Sequence, residues 1–302
     1  MIKSITVTNY LDESIIINLS NPKESGLIIS KIEGLNPPKA EVNIAQISTM
    51  DGGQHNLSRL PSRNIVIHLD YYKGNESIES LRLKTYKYFP IKQKLKLLIK
   101  TDKRTAEIEG IVELNEIDIF SKRENAVISI LCPKPYFSSL EQNYTIFSGI
   151  VPMFEFPFFN EINTDTIEFG SIVYKEQNVV RYDGDAEVGV KIIIHITSDS
   201  VSNITVYNTT SRQKMAILTD KITELTGQAL KKSDEIIINT VKGEKYVHLL
   251  RDGKEINILN CLNRNTDWFI LKQGDNLFAY TASAGTLDVQ FKIIHQTMYE
   301  GV

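Results

Sequence analysis

Apolar residues along this chain either alternate with polar ones or gather in short β-branched runs. Ile15-Ile16-Ile17, Ile65-Val66-Ile67-His68-Leu69, Val127-Ile128-Ser129-Ile130-Leu131 and Ile236-Ile237-Ile238 are each bounded by turn residues. That pattern predicts strands. Arg251-Asp252-Gly253-Lys254 carries the Asp-Gly pair of a two-residue hairpin. Val241-Lys242-Gly243-Glu244 is a second turn, and Tyr246 to Leu250 is the strand between them. Residues 236–259 therefore predict a three-stranded meander. The opening, Met1 to Val7, has no apolar stretch before a small-residue cleavage site, so it fits a first strand.

The period changes to helical once in the first half. Asn75-Glu76-Ser77-Ile78-Glu79-Ser80 supplies capping chemistry, Ile78, Leu81, Tyr86 and Phe89 roughly follow helical spacing, and Pro90 ends the run. A shorter helical piece is expected over Asp220–Leu225, closed by Gly227. After Pro90 the period returns to two, with Lys92, Lys94 and Lys96 on one side. Thr101-Asp102-Lys103-Arg104 is a turn, and Thr105 to Ile119 returns with Gly110 as a bulge or bend. Residues 91–119 thus predict a long hairpin with one charged face.

Two prolines in Cys132-Pro133-Lys134-Pro135-Tyr136-Phe137 break the strand ending at Leu131 and mark a boundary. The expected division is a first domain over 1–137 and a second over 138–302, with 138–165 as a linking or docking segment. That segment holds Val151-Pro152-Met153-Phe154-Glu155-Phe156-Pro157-Phe158-Phe159, which proline keeps from being a central strand throughout. It suits covering an edge or docking one domain on the other. From Thr166 onward the chain is β-rich with no sustained helical period, which predicts a second, all-β sandwich. No fixed-period repeat is visible.

Composition narrows the function classes. The chain's 302 residues suffice for two cores. A net charge of -3 gives no general attraction to nucleic acid. No apolar run reaches membrane-spanning length, so the chain is expected to stay where it is made unless released by lysis or within a larger particle. Cys132 and Cys261 fit no metal spacing and are read as buried, reduced thiols. Asn-x-Ser/Thr triplets such as Asn203-Ile204-Thr205 are read as chance products.

The acidic turn Tyr182-Asp183-Gly184-Asp185-Ala186-Glu187-Val188-Gly189-Val190 admits two readings. Asp183, Asp185 and Glu187 could hold a hard cation. Their alternation fits a turn feeding a strand better, with Gly184 giving the bend. Of the five histidines, His195, His248 and His295 sit inside apolar strands, while His55 and His68 complete the set; none pairs at metal spacing. No nucleophile elbow, phosphate loop or dinucleotide fingerprint occurs. The basic run from Arg82 to Arg104 suits a solvated or subunit-facing surface better than a nucleic-acid groove. Trp268 is the single tryptophan, with Asn263, Arg264 and Asn265 close in sequence. It fits core or rim packing first and a sugar-stacking platform second. The residues therefore name no catalytic, cofactor-binding or metal site, and no cofactor.

Taken in order, several phrases resemble the siphophage distal tail proteins. They are Lys31-Ile32-Glu33-Gly34-Leu35-Asn36-Pro37-Pro38-Lys39, Met50-Asp51-Gly52-Gly53 and Arg63-Asn64-Ile65-Val66-Ile67, then the helix, Tyr88-Phe89-Pro90, the hairpin and Cys132 to Phe137. In the second half they are Gly184 to Val190, Val206-Tyr207-Asn208, Trp268-Phe269 with Gly274-Asp275-Asn276, and Met298-Tyr299-Glu300-Gly301-Val302. The resemblance implies a mainly β chain. Its N-terminal part would be a ring-forming β-sandwich or split-barrel-like domain with one helix and a long β-hairpin. Its C-terminal part would be a galectin-like β-sandwich pointing outward. It also implies a non-enzymatic structural role in the tail tip of a phage or prophage virion, with synthesis in the host bacterium's cytoplasm. Partners would be other copies in a hexameric ring, the tail tube protein, a tail-tip protein of the tail-associated lysin type, and receptor-binding proteins; no membrane and no specific nucleic acid are implied. Longer members carry inserted carbohydrate-binding modules, for which this chain has no room. A carbohydrate-binding adhesin using the second half is the alternative. In a ring, the hairpin 91–119 and the aromatic run 151–159 are the expected contacts with neighbouring copies.

Overall fold

The alternation of apolar residues sets the inward face of nearly every strand. The computed structural model describes residues 1–46, 51–72, 74, 76–118, 124–152 and 170–302. The protein is mainly β, built from antiparallel sheets with two α-helices among the described residues. It forms two compact units, one of Met1–Leu140 together with Met298–Val302, the other of Glu141–Thr297.

The first unit begins with β1 (Ile2–Thr8), β2 (Ser14–Asn18), β3 (Leu27–Glu33), β4 (Glu41–Gln46), β5 (Gly53–Arg59) and β6 (Arg63–Tyr71). Helix α1 (Ile78–Tyr88) follows, then β7 (Lys94–Thr101), β8 (Thr105–Asp118), β9 (Asn125–Cys132) and the start of β10 (Phe137–Ile146). Successive pairings give the path β2-β1-β7-β8-β9-β6-β3. Ile5 and Val7, Ile65, Ile67 and Leu69, Leu95, Leu97 and Ile99, and Ala126, Ile128 and Ile130 are all buried at alternate positions. A one-residue slip would turn each of these sets to solvent, so the pattern fixes the register.

Helix α1 is placed by caps as much as by its apolar face. Ser77 accepts a hydrogen bond from the Ser80 N–H at 3.2 Å and starts the helix. At the other end, Asn9 donates to the Lys87 carbonyl at 3.1 Å and Asn115 to the Phe89 carbonyl at 3.0 Å. These side chains satisfy carbonyls that a helix leaves open. The buried residues are Leu81 and Thr85, whereas Tyr86, expected inside, is exposed. Thr85 gains burial by donating to the Leu81 carbonyl at 2.9 Å.

The basic hairpin differs from expectation in three ways. Lys92 is not on the strand; it sits in the preceding turn at φ 64. Gly110 is in regular register opposite Leu95, and the bulge lies between Val112 and Leu114. Gly110 is required by packing, because a Cβ there would lie 2.5 Å from Ile130 Cγ2 and 2.9 Å from Cys132 Sγ. Finally, β7 is paired with both β1 and β8, and β8 with β7, β9 and β10. Both strands of this hairpin therefore have further partners and lie within a sheet. Met153 to Phe159 and Ile119 lie outside the described residues.

The second unit contains the rest of β10, then β11 (Ser148–Pro152), β12 (Gly170–Tyr174), β13 (Gln177–Tyr182), β14 (Val188–Gly189), β15 (Lys191–Ile196), β16 (Ser202–Asn208) and β17 (Gln213–Ile217). After helix α2 (Thr219–Thr226) come β18 (Glu235–Asn239), β19 (Tyr246–Arg251), β20 (Lys254–Asn257), β21 (Ile270–Leu271), β22 (Gly274–Ala284) and β23 (Val289–Tyr299). One sheet runs β23-β15-β18-β19-β20 and the other β13-β22-β16-β17. Rings bridge the two: Tyr280 stacks on Phe291 at 5.2 Å, and Tyr182 meets His295 edge-on at 5.7 Å. Phe147 closes the cluster at 4.7 Å from Phe291. Such pairs add to the area they bury. The meander β18-β19-β20 and the Asp252-Gly253 turn, with both residues at positive φ, match the sequence reading. Gly227 closes α2 in the left-handed region, as expected.

Arg251 and Asp234 form a buried two-pronged ion pair beneath α2, with Nε to Oδ1 at 2.9 Å and Nη2 to Oδ2 at 2.5 Å. Arg251 also donates to the Ala229 carbonyl at 2.8 Å, tying the loop after α2 to β18 and β19. Hydrogen bonding to Asp234 raises the Arg251 pKa. Arg251→Leu leaves Asp234 buried without its partner and is expected to cost about 3–5 kcal/mol in urea unfolding. Adding Asp234→Leu to that variant should recover much of the loss. A single variant within about 1 kcal/mol of wild type would show that the pair does not organise this region.

Candidate functional site

Arg63, the first residue of β6, is the most heavily engaged side chain of the first unit. It is only 2% exposed. Its guanidinium donates to four backbone carbonyls: Pro135 from Nε at 2.7 Å, Gly34 and Asn36 from Nη1 at 2.5 and 2.8 Å, and Glu300 from Nη2 at 2.5 Å. It also lies over the Phe137 ring, 4.6 Å from the centroid. Burial pulls its pKa below the ordinary arginine value. A planar fork of five donors suits convergent carbonyls, which lysine would meet only as a point charge. Backbone fit completes the junction. Gly34 sits at φ 84, and a Cβ there would lie 2.0 Å from the Asn64 carbonyl oxygen.

The acidic turn is a strand start. Asp183, Asp185 and Glu187 are exposed, while Tyr182, Gly184, Ala186, Val188 and Val190 are buried. Asp183 meets Arg181 at 3.2 Å and Glu187 meets Lys272 at 3.7 Å. Among the described residues no three metal-ligating side chains come together. Geometry demands glycine at 189: a Cβ on Gly189 would lie 2.5 Å from the Thr240 carbonyl oxygen. Thr240 Oγ1 accepts from the Val190 N–H at 2.7 Å and donates to the Phe269 carbonyl at 2.8 Å. The turn is thereby sewn to two other segments.

The histidines are spread over separate strands. His195 faces Glu235 at 3.3 Å, His248 faces Glu255 at 2.5 Å and His68 faces Glu33 at 3.6 Å, each across a pair of strands. His55 meets Ser58 at 2.7 Å in the β4–β5 hairpin. His295 is buried against Tyr182. Trp268 is half-buried, and the Lys245 ammonium lies 4.9 Å from its ring centroid. Arg264 is exposed nearby, but the amide of Asn263 is spent on a turn, accepting from the Asn265 N–H at 3.0 Å. Both cysteines are buried free thiols; burial pushes Cys132 up to about 11 and raises Cys261.

Sequence reasoning missed one element that stands apart. Hairpin β4–β5 pairs with no other strand among the described residues. Val42, Ile44 and Leu57 on it are 53, 58 and 62% exposed. Glu41 and Arg59 lock its base at 2.7 Å. A two-stranded ribbon of this kind is marginal in water by itself, and it leaves these three aliphatic side chains exposed. Val42 and Ile44 alternate properly for a strand, but β5, Gly53-Gln54-His55-Asn56-Leu57-Ser58-Arg59, carries one apolar residue and gives little signal.

No protein-family model matches this sequence, and neither does any curated protein. Solved structures do. The Dit protein of phage SPP1, described as a paradigm of the hub adsorption apparatus in phages infecting Gram-positive bacteria, superposes with a TM-score of 0.63. Identity is 12%, over 98% of this chain and 99% of that one. This chain has the Dit fold. Two structures of the phage P2 baseplate in its activated conformation, with calcium and with strontium, match at 12 and 11% identity. They cover 98 and 97% of this chain and of theirs, but TM-scores of 0.46 and 0.43 are too low to add to the argument. In this example of the Dit fold, three of the phrases that carried the family resemblance meet at Arg63: Gly34 to Asn36, Pro135 and Glu300.

His295 gives the second unit a pH response. Its Nδ1 has no hydrogen-bond partner, and burial holds its pKa below the ordinary 6.5. Above that value the ring is neutral whether folded or unfolded. Below it the unfolded chain takes up a proton that the buried ring resists, so stability falls as pH falls. The unfolding midpoint of wild type, compared with His295→Gln, should drop more between about pH 7 and about pH 5. A difference between the two proteins that is independent of pH in calorimetry would contradict this.

Proposed function

We propose that this chain is a distal tail protein, a structural hub at the tail tip of a phage or prophage virion. In this reading its copies close into a hexameric ring that joins the tail tube to tail-tip or baseplate proteins and gives receptor-binding proteins a place to dock. It is made in the cytoplasm of the bacterial host and works in the virion tail, without catalysis. The observation that carries the reading is the likeness to SPP1 Dit along nearly the full length of both chains. A fold alone does not assign a role, so the surfaces matter as well. Rings are closed by heterologous contacts, in which a projecting element of one copy meets a different patch on the next. Hairpin β4–β5, with Val42, Ile44 and Leu57 exposed, supplies such an element.

The adhesin reading has weaker support. Sugar stacking needs a bare aromatic face, and Lys245 sits over Trp268. The galectin-like character of the second unit belongs to the same proposal as the tail role, and its two-sheet sandwich is compatible with it.

Electron microscopy of the purified protein is expected to show six-fold rings with an open channel. Val42→Glu combined with Leu57→Glu should shift the mass seen by light scattering to monomer. Because both side chains face solvent, the variant's own stability should stay within about 0.5 kcal/mol of wild type. A wild-type protein that stays monomeric and binds glycan arrays, with binding lost in Trp268→Ala, would overturn the hub reading in favour of an adhesin.

A further inference from the structure

The last five residues of the first unit lie in a slot that reads their sequence. The Arg104 guanidinium sits 4.5 Å from the Tyr299 ring centroid and donates to the Gly301 carbonyl at 3.5 Å. The Glu300 carbonyl accepts from buried Arg63. A Cβ on Gly301 would lie 3.0 Å from both the Leu35 carbonyl oxygen and Pro37 Cδ, so a larger residue must displace backbone or a proline ring. The Val302 N–H donates to the Leu35 carbonyl at 3.2 Å. Tyr299 and Val302 pack against the core of the first unit. Three positions are therefore specified by side chain, Tyr299 by a cation over its ring, Gly301 by a steric limit and Val302 by an apolar contact, while position 300 is held through its backbone carbonyl.

The walls and the occupant are far apart in the chain. Leu35, Pro37, Arg63 and Arg104 all precede the second unit, whereas the occupant follows it. Arg63 and Glu300 are 237 positions apart, and Arg104 and Gly301 are 197 apart. A buried guanidinium is costly until its donors are satisfied. Until the second unit has been traversed, the first lacks one of the four carbonyls that receive Arg63.

We infer that Met298–Val302 is a completion latch: the first unit offers a peptide slot for a Tyr-Glu-Gly-Val segment, and only a chain that has passed through the second unit fills it. The occupant is the chain's own segment, held in cis. Unlatching leaves the sandwich core of the second unit intact but loosens the loop at Leu35–Pro37 and the start of β6.

Two full-length variants test this. Gly301→Leu blocks seating through backbone crowding. Arg104→Ala removes an exposed cation without touching the buried Arg63. Hydrogen exchange at residues 298–302 and 34–37 should rise about ten-fold or more in Arg104→Ala, with strands β15, β18 and β19 unchanged. A fluorescent Met-Tyr-Glu-Gly-Val peptide should bind Gly301→Leu saturably, bind wild type about ten-fold more weakly because its slot is filled, and fail when scrambled. Unchanged exchange in Arg104→Ala would overturn the latch. So would equal binding of the true and scrambled peptides, or equal binding to wild type and variant. If Gly301→Leu does not fold, the exchange measurement decides. The readouts are independent of ring formation, so their failure leaves the hub reading to its own test.

Discussion

Burying one guanidinium organises the first unit. Arg63 carries a charge that cannot be shed, and nearly all of it is withdrawn from water. Backbone carbonyls are its principal partners, so its cost is offset only if remote stretches of main chain converge on one point. That demand accounts for features that otherwise look unrelated. Gly34 must lack a side chain for its loop to approach β6, Pro135 presents a carbonyl on a stiffened turn, and Gly301 lets the closing segment lie flat on Leu35 and Pro37. The strands of the unit would alternate correctly without Arg63. The loops would not know where to go.

The second unit solves a similar problem by other means. Its sheets meet through an aromatic cluster, and its irregular segments are tied by side chains that satisfy the backbone, Thr240 at the strand start and Arg251 with Asp234 below α2. They fix backbone in place. That economy suits a protein whose proposed work is to present surfaces to neighbours, with hairpin β4–β5 joined to no further strand among the described residues.

Much of this was legible from local pattern. The runs at Ile15, Ile65, Val127 and Ile236, the Asp252-Gly253 turn, the Ser77 cap and the Gly227 stop each depend on neighbours within a few residues, and each is where the sequence puts it. What escaped is non-local. The role of Gly110 depends on Cys132 and Ile130 across the sheet, and that of Gly189 on Thr240. Thr85 is buried where Tyr86 was expected, because a threonine can hide its hydroxyl by donating to its own helix. The basic segment reads as a two-stranded hairpin in sequence because its lysines alternate, and only the sheet shows the further strands that flank it. The surface hairpin went unnoticed because β5 carries a single apolar residue, Leu57, and so gives little alternation to read.

The two buried thiols have a use that their chemistry alone would not suggest. Cys132 lies in one unit and Cys261 in the other, and the chain has no further cysteine. Each is shut off from reagents until the structure around it opens. The molecule thus carries two built-in clocks. The rate at which a disulfide reagent labels each one reports how often its own half breathes, without any introduced probe.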